Sequence, residues 1–408
     1  MQTIAAGAAK GRTRAMLALF IGTALSNAAM ATASAVATIA AAEQLGTAWG
    51  GLPNMAGIAG TGFGALVLTV VMSRRGRRAG LVVGYLAATA GAAAAAYAVA
   101  HDDIAGLSVG MVLLGIGNAG AGLSRYAAAE LYSPHRHGFA VGMLTWAGTV
   151  GAVGGSLLLG LMGAAATVIG GEALLGPFLF GTLAAGLAAL AAVGAPTTTP
   201  AEHSPIRLRP LLARPDARSA FTVMATAQLV MVAVMTAAPL EMHMHGHTLV
   251  AVGTVLSAHM LGMFAPSPLT GRLVDRLGTR PVMLAGLFTL AVAAILTAAG
   301  THTAPRAAAL FLLGFGWNLC FIAGSVRLAR NVARASRMQL EGAVESGVWA
   351  IAATAGLAST PVLTAGGYSA LAGLAVTAIV IAALLLKTGS RSRDHRSRPR
   401  HIDMLHRR

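Results

Sequence analysis

Twelve stretches of roughly twenty apolar residues recur along this chain, each long enough for one helix to cross a bilayer. They lie at 14–40, 51–72, 79–100, 104–127, 139–163 and 173–194, and again at 219–241, 249–270, 281–300, 307–328, 342–364 and 368–387. Composition agrees. Hydrophobic residues make up 56% of the chain and charged residues 10%, whereas a soluble domain carries about 25% charged residues. A soluble fold of this make-up lacks the polar surface to stay dissolved. The expected fold is therefore an all-α membrane protein of twelve transmembrane helices in two six-helix bundles. The first stretch follows Lys10, Arg12 and Arg14, as a signal peptide would, but it is too long for one and more spans follow. It is kept as the first helix.

Residues 195–218 form the one polar linker of any length, rich in Thr, Pro and Arg. It separates bundle 1–194 from bundle 219–387, and a basic tail, 388–408, closes the chain. With both ends in the cytoplasm, all of the 29 Lys and Arg except Arg306 fall inside or at inner helix ends, as basic residues do in membrane proteins. This predicts a multi-pass protein of the plasma or inner membrane, working as a monomer in lipid. The net charge of +16 is spread in short runs between apolar stretches, so no nucleic-acid partner is expected. The tail reads as disordered, touching anionic headgroups. The single cysteine, Cys320, excludes internal disulfides and thiolate clusters.

The two halves repeat each other. Leu113, Leu114, Gly115, Ile116, Gly117 and Asn118 in the fourth stretch match Leu312, Leu313, Gly314, Phe315, Gly316 and Asn318 in the tenth, with Trp317 inserted. Each run continues to a Ser with an Arg close behind, Ser124 and Arg125, then Ser325 and Arg327. Duplicated bundles that rock about a central site are a common transporter plan.

After the eighth stretch the chain reads Gly271, Arg272, Leu273, Val274, Asp275, Arg276, Leu277, Gly278, Thr279, Arg280. This resembles the cytoplasmic loop signature of the major facilitator superfamily. The carboxylate of Asp275 can meet a helix N-terminus or an Arg and latch one conformation; Gly271, Asp275, Arg276, Gly278 and Arg280 are the latch residues. The first-half copy departs from the pattern. Thr69 replaces Gly and Ser73 replaces Asp before Arg74, Gly76, Arg77 and Arg78, which leaves a first-half Asp latch without its carboxylate. Gly142, Gly151, Gly155 and Gly160 resemble the superfamily's antiporter glycine motif. With Ser156 and Leu159 at two of its positions they read as close-packing residues.

Methionine and histidine concentrate in one region: seven of 18 Met and four of 12 His lie between 224 and 263. Met231 and Met235 are one turn apart on the seventh stretch, with Met224 and Gln228 extending that face; His259 and Met263 are one turn apart on the eighth. Met231 and His259 are each about ten residues, ~15 Å, from the outer end, at midplane depth, where transporters hold substrate. The turn between holds Met242, His243, Met244, His245 and His247, a possible capture site at the outer mouth. Thioether and imidazole suit Cu(I) better than hard cations. The two spaced pairs resemble those of the CcoA-like copper importers, a branch of the same superfamily. That resemblance implies Met231, Met235, His259 and Met263 as copper ligands and copper import as the activity, with no prosthetic group. Members of the branch also carry riboflavin.

Asn27, Asn118, Asn318, Cys320 and Glu345 are further candidates for the cavity or for coupling. The Asn residues equally suit interhelical hydrogen bonds, Cys320 a small apolar filler and Glu345 a pairing with an Arg at the cytoplasmic rim. Two activities therefore compete: copper import, and proton-coupled transport of a small organic solute such as a drug or riboflavin. A sensor built on a transporter fold lacks a soluble domain. An enzyme lacks a nucleophile and base at workable spacing.

Overall fold

A computed structural model describes residues 2–46, 49–168, 170–197, 208–244, 249–299, 303–330 and 334–394. Side chains are described for fewer, excluding 2–10 and 236–254 among others. Among these residues the fold is wholly helical: α1 (Gln2–Leu45), α2 (Leu52–Arg75), α3 (Arg77–Ala100), α4 (Ile104–Glu130), α5 (His137–Gly148), α6 (Gly154–Val168) and α7 (Leu175–Ala192). After a short α8 (Leu208–Leu212) come α9 (Pro215–Met244), α10 (Leu249–Phe264), α11 (Ser267–Leu277), α12 (Thr279–Ala299), α13 (Thr303–Ala329) and α14 (Arg334–Asp394). Ten of the described helices are long and apolar enough to cross a membrane, counting α14 as two. The bent pair formed by α5 and α6 makes eleven.

Three expected spans are not simple rods. The fifth contains a π-helical turn, Thr149–Val153, and bends by 45°. The eighth, expected as continuous over 249–270, breaks between α10 and α11. Pro266 has no N–H to give and its ring excludes the preceding turn, so the ladder restarts at Ser267. The eleventh and twelfth run together as α14 and part only at Gly367, whose φ of 64° and ψ of −168° no other residue type adopts readily. The same helix continues to Asp394, into the tail expected to lack structure. Residues 395–408 lie outside the described residues.

Helices approach closely wherever glycine removes the side chain. A Cβ added at Gly60 or Gly64 of α2, or at Gly115 of α4, would collide with the facing backbone; so would one at Gly91 of α3 or Gly262 of α10. Without a hydrophobic drive between helices in lipid, this backbone proximity supplies the dispersion that holds them.

The duplication reappears in the turns. Gly76 closes α2 and Gly278 closes α11, with φ of 87° and 84°, each donating its N–H four residues back, to Met72 and Val274. Equivalent glycines in the two halves make the same turn.

Candidate functional site

A central cavity of about 180 Å³ opens between the two groups of helices. Thr23 and Asn27 of α1, Asn118 and Arg125 of α4, and Thr145 of α5 line it on one side. Gln228 and Met231 of α9, Met263 and Phe264 of α10, Trp317 and Phe321 of α13, and Glu345 and Trp349 of α14 line it on the other.

The wall is part aromatic and part ionic. Trp317 stacks on Phe321 with ring centroids 4.3 Å apart and planes 19° from parallel, and Phe264 meets Trp317 edge-on at 6.2 Å. The Trp317 indole donates to Gln228 Oε1 at 2.7 Å, which fixes the ring plane. The Arg125 guanidinium lies 4.3 Å over the Phe321 ring, continuing the stack as a cation–π contact. Its edges are bound in place: Nε donates to Ser325 Oγ at 2.9 Å, Nη1 to the Gly122 carbonyl at 2.8 Å, and Nη2 pairs with Glu345 Oε1. The Tyr126 hydroxyl also donates to that carboxylate, at 2.9 Å. Both members of the pair are more than nine-tenths buried. Glu345 was expected to pair with an Arg at the rim. Its partner is an Arg, but the pair stands in the cavity wall, because Arg125 sits more than a turn inside α4.

Of the four expected metal ligands, Met231 and Met263 line the cavity. Met235, one turn farther along α9, is half-buried and packs against the core. His259 is buried between α10 and α13, where its Nδ1 lies 2.9 Å from the Leu310 carbonyl. A carbonyl only accepts, so Nδ1 carries the proton. Its Nε2 has no partner among the described residues. The same i, i+4 spacing that joins His259 to Met263 leaves a 40° offset, enough to send one side chain to α13 and the other to the cavity. Among the described residues no three His, Cys, Asp or Glu side chains gather around a common point. Of the expected outer capture residues, Met242, His243 and Met244 are described only as helix backbone; His245 and His247 lie outside the described residues.

Asn27 and Asn118 line the cavity while bonding to the Thr23 carbonyl (2.9 Å) and Thr61 Oγ1 (3.3 Å). Asn318 does something else. Its Nδ2 donates to the Met263 carbonyl (2.6 Å) and Ser267 Oγ (2.7 Å), and its Oδ1 accepts from Thr270 Oγ1 (2.6 Å). It satisfies the break between α10 and α11 that Pro266 creates. Asn318→Ala is expected to leave that carbonyl unsatisfied and lower stability by about 1–3 kcal/mol; a melting curve in detergent indistinguishable from wild type contradicts this. Cys320 is buried and turned toward Met283 of α12, 3.7 Å from its carbonyl.

Two seams join the two groups of helices away from the cavity lining. At the first, Asp275 of α11 accepts from the backbone amides of Gly138 and Phe139 at the start of α5, both at 2.8 Å, and Arg330 lies 3.8 Å away. Gly138 and Gly271 stand backbone to backbone there. Arg276 is exposed, Arg280 half-buried. At the second, where α2 packs on α14, Arg77 at the start of α3 bonds to Glu130 at the end of α4 (2.8 Å) and to Glu341 of α14 (2.7 Å). Arg77 belongs to the signature copy that lost its Asp, so an Arg with two distant carboxylates holds this seam. Glu130 and Glu341 went unnoticed in the sequence because each sits near a helix end among basic residues. Phe264, Phe321 and Trp349 gave no signal in the sequence, and Trp317 stood out only as an insertion in the repeat, because an aromatic in an apolar run looks lipid-facing.

The sequence profile of the Major Facilitator Superfamily matches residues 219–403. The MFS-type transporter YdeG of Bacillus subtilis (strain 168) is 32% identical over 376 residues, 88% of this chain and 87% of that protein. The riboflavin transporter RfnT of Brucella anthropi is 32% identical over 156 residues, 38% of this chain and 39% of its own. Among solved structures, the proton:xylose symporter XylE superposes with a TM-score of 0.75 at 14% identity, over 93% of this chain and 96% of that one. Near full-length similarity, a shared fold and an apolar helical body lead to one assignment: this chain is a multi-pass membrane transporter that belongs to the major facilitator superfamily.

Proposed function

We propose that the chain carries a small, planar organic solute across the cell membrane by alternating access, with its ends in the cytoplasm and bundles 1–194 and 219–387 rocking as a monomer about the cavity. The observation that carries this is the aromatic wall: Phe264, Trp317 and Phe321 in contact series, with Trp349 also lining the space. Flat aromatic faces bind ring systems at little entropic cost, and Gln228, Asn27, Asn118 and Thr145 offer hydrogen-bonding groups at the edges. The partial relative RfnT is a riboflavin transporter, so an isoalloxazine-like ring is the first solute to test. The buried Arg125–Glu345 pair is the group able to respond to a proton or to a charged solute.

One observation favours copper as a second reading: Met231 and Met263 share the cavity. Two thioethers grip a soft monovalent ion weakly, and Met235 and His259 must turn inward to complete the set.

The two readings separate in one uptake assay. Vesicles holding wild type, Trp317→Ala, or Met231→Leu with Met263→Leu receive labelled riboflavin or labelled copper. The organic reading expects riboflavin uptake above empty vesicles, a fall of ten-fold or more in Trp317→Ala, roughly the scale of losing a large aromatic contact, and little change in the leucine pair. Copper uptake abolished by the leucine pair, with riboflavin untouched by Trp317→Ala, rejects it.

A further inference from the structure

A second concave site lies away from the cavity, at the seam between α5 and α11. It encloses about 470 Å³ and is lined by His135, Arg136, Phe139, Arg272, Asp275 and Arg276. Three guanidiniums and an imidazole face it, against one carboxylate. That carboxylate is already engaged by the amides of Gly138 and Phe139. Arg272 is steadied over the Phe139 ring, 5.9 Å from its centroid. A concave surface with surplus positive charge concentrates anions, and the planar guanidinium fork matches phosphate oxygens.

The surface beside the crevice has a polarity of its own. Leu269, Arg272 and Arg276 follow one another at spacings of three and four along α11, so they share a face. Leu269 is 66% exposed and Leu277, next to Arg276, 57% exposed. An apolar track therefore leads along the helix to a basic rim. A free anion needs only the rim; a phospholipid needs both.

We propose that this crevice binds the phosphate headgroup of an anionic phospholipid. The lipid spans residues of the turn before α5 and of α11, so it favours the state in which that seam is closed. The site is independent of what the central cavity carries.

Full-length protein is placed in nanodiscs of equal phosphatidylglycerol and phosphatidylcholine, released, and its retained lipids counted by native mass spectrometry. Wild type is expected to retain phosphatidylglycerol preferentially. Arg272→Gln and, separately, Arg136→Gln should each lower that preference about five-fold, the scale of one basic residue at an anionic surface. Arg272→Lys should keep most of it, and Arg14→Gln, at an exposed position of α1, should leave it unchanged. Millimolar inorganic phosphate should not strip the lipid. The proposal is overturned if both glutamine variants retain the wild-type ratio, if Arg14→Gln lowers it equally, or if inorganic phosphate displaces the lipid. Two crevice arginines on separate elements guard against one variant failing to fold.

Discussion

Glu345→Ala is expected to abolish transport and to destabilise the protein by about 3–5 kcal/mol, the usual cost of stranding one member of a buried ion pair. Glu345 and Arg125 are each over nine-tenths buried and bonded through Nη2. Removing the carboxylate leaves a guanidinium in a low-dielectric wall, with Ser325, the Gly122 carbonyl, Tyr126 and the Phe321 ring as its remaining contacts. None of them carries a charge. The Tyr126 hydroxyl loses its acceptor at the same time. Arg125→Ala should be equally damaging, since the stranded charge is then negative. The double change Arg125→Met with Glu345→Leu removes both charges and restores apolar volume, so most of the lost stability should return. Transport should not, because among the described residues the cavity wall then holds no buried charge. Melting temperature and vesicle uptake, measured on all four proteins, check this. A double variant as unstable as either single change defeats the energetic argument. A double variant that transports normally reduces the pair to a structural role.

Some of this was legible in the sequence, and some was not, for identifiable reasons. The helical spans follow from run lengths of apolar residues, which the bilayer makes nearly obligatory. The breaks were harder. Hydropathy treats 249–270 as one run, and only Pro266 and Pro268 mark where the ladder stops and restarts. The residue that repairs it, Asn318, is 51 positions from Ser267 and reads in isolation as one more polar side chain in a span. The turn glycines, Gly76 and Gly278, were visible through the repeated signature, and their matching dihedrals express it. Met231 and Met263 were found by helical spacing, yet spacing gives only an approximate face, and His259 falls outside the cavity for that reason. The ionic centre was hidden by distance along the chain. Arg125 and Glu345 lie 220 positions apart, and each read locally as a charge near an inner helix end. The stronger signal was Arg125 itself, a charge inside a span, where function is the default expectation.

Gly271→Leu should hold the α5–α11 seam open and stop the transport cycle without unfolding the protein. Gly271 and Gly138 face each other so closely that a Cβ on either would run into the other's backbone. The seam also carries the two bonds from Asp275 to the start of α5, and these need the same approach. Adding a side chain to close-packed helices costs about 1–3 kcal/mol, and here the cost falls only on the state in which the seam is shut. A bias of that size moves a two-state equilibrium about 5- to 150-fold. Opening can be read chemically, because Cys320 is the only cysteine in the chain. In a Cys320→Ala background, a cysteine introduced at Ser267, fully buried on α11 where its backbone meets Gly142 of α5, reports on the seam through its labelling by a membrane-impermeant maleimide. Labelling should be slow with glycine at 271 and at least five-fold faster with leucine, while uptake falls to the level of empty vesicles. Leucine at Gly373, where an added Cβ meets nothing within 4 Å, should change neither. Equal labelling with unimpaired uptake in Gly271→Leu means that the two helices need not meet during transport, and the seam is then no gate.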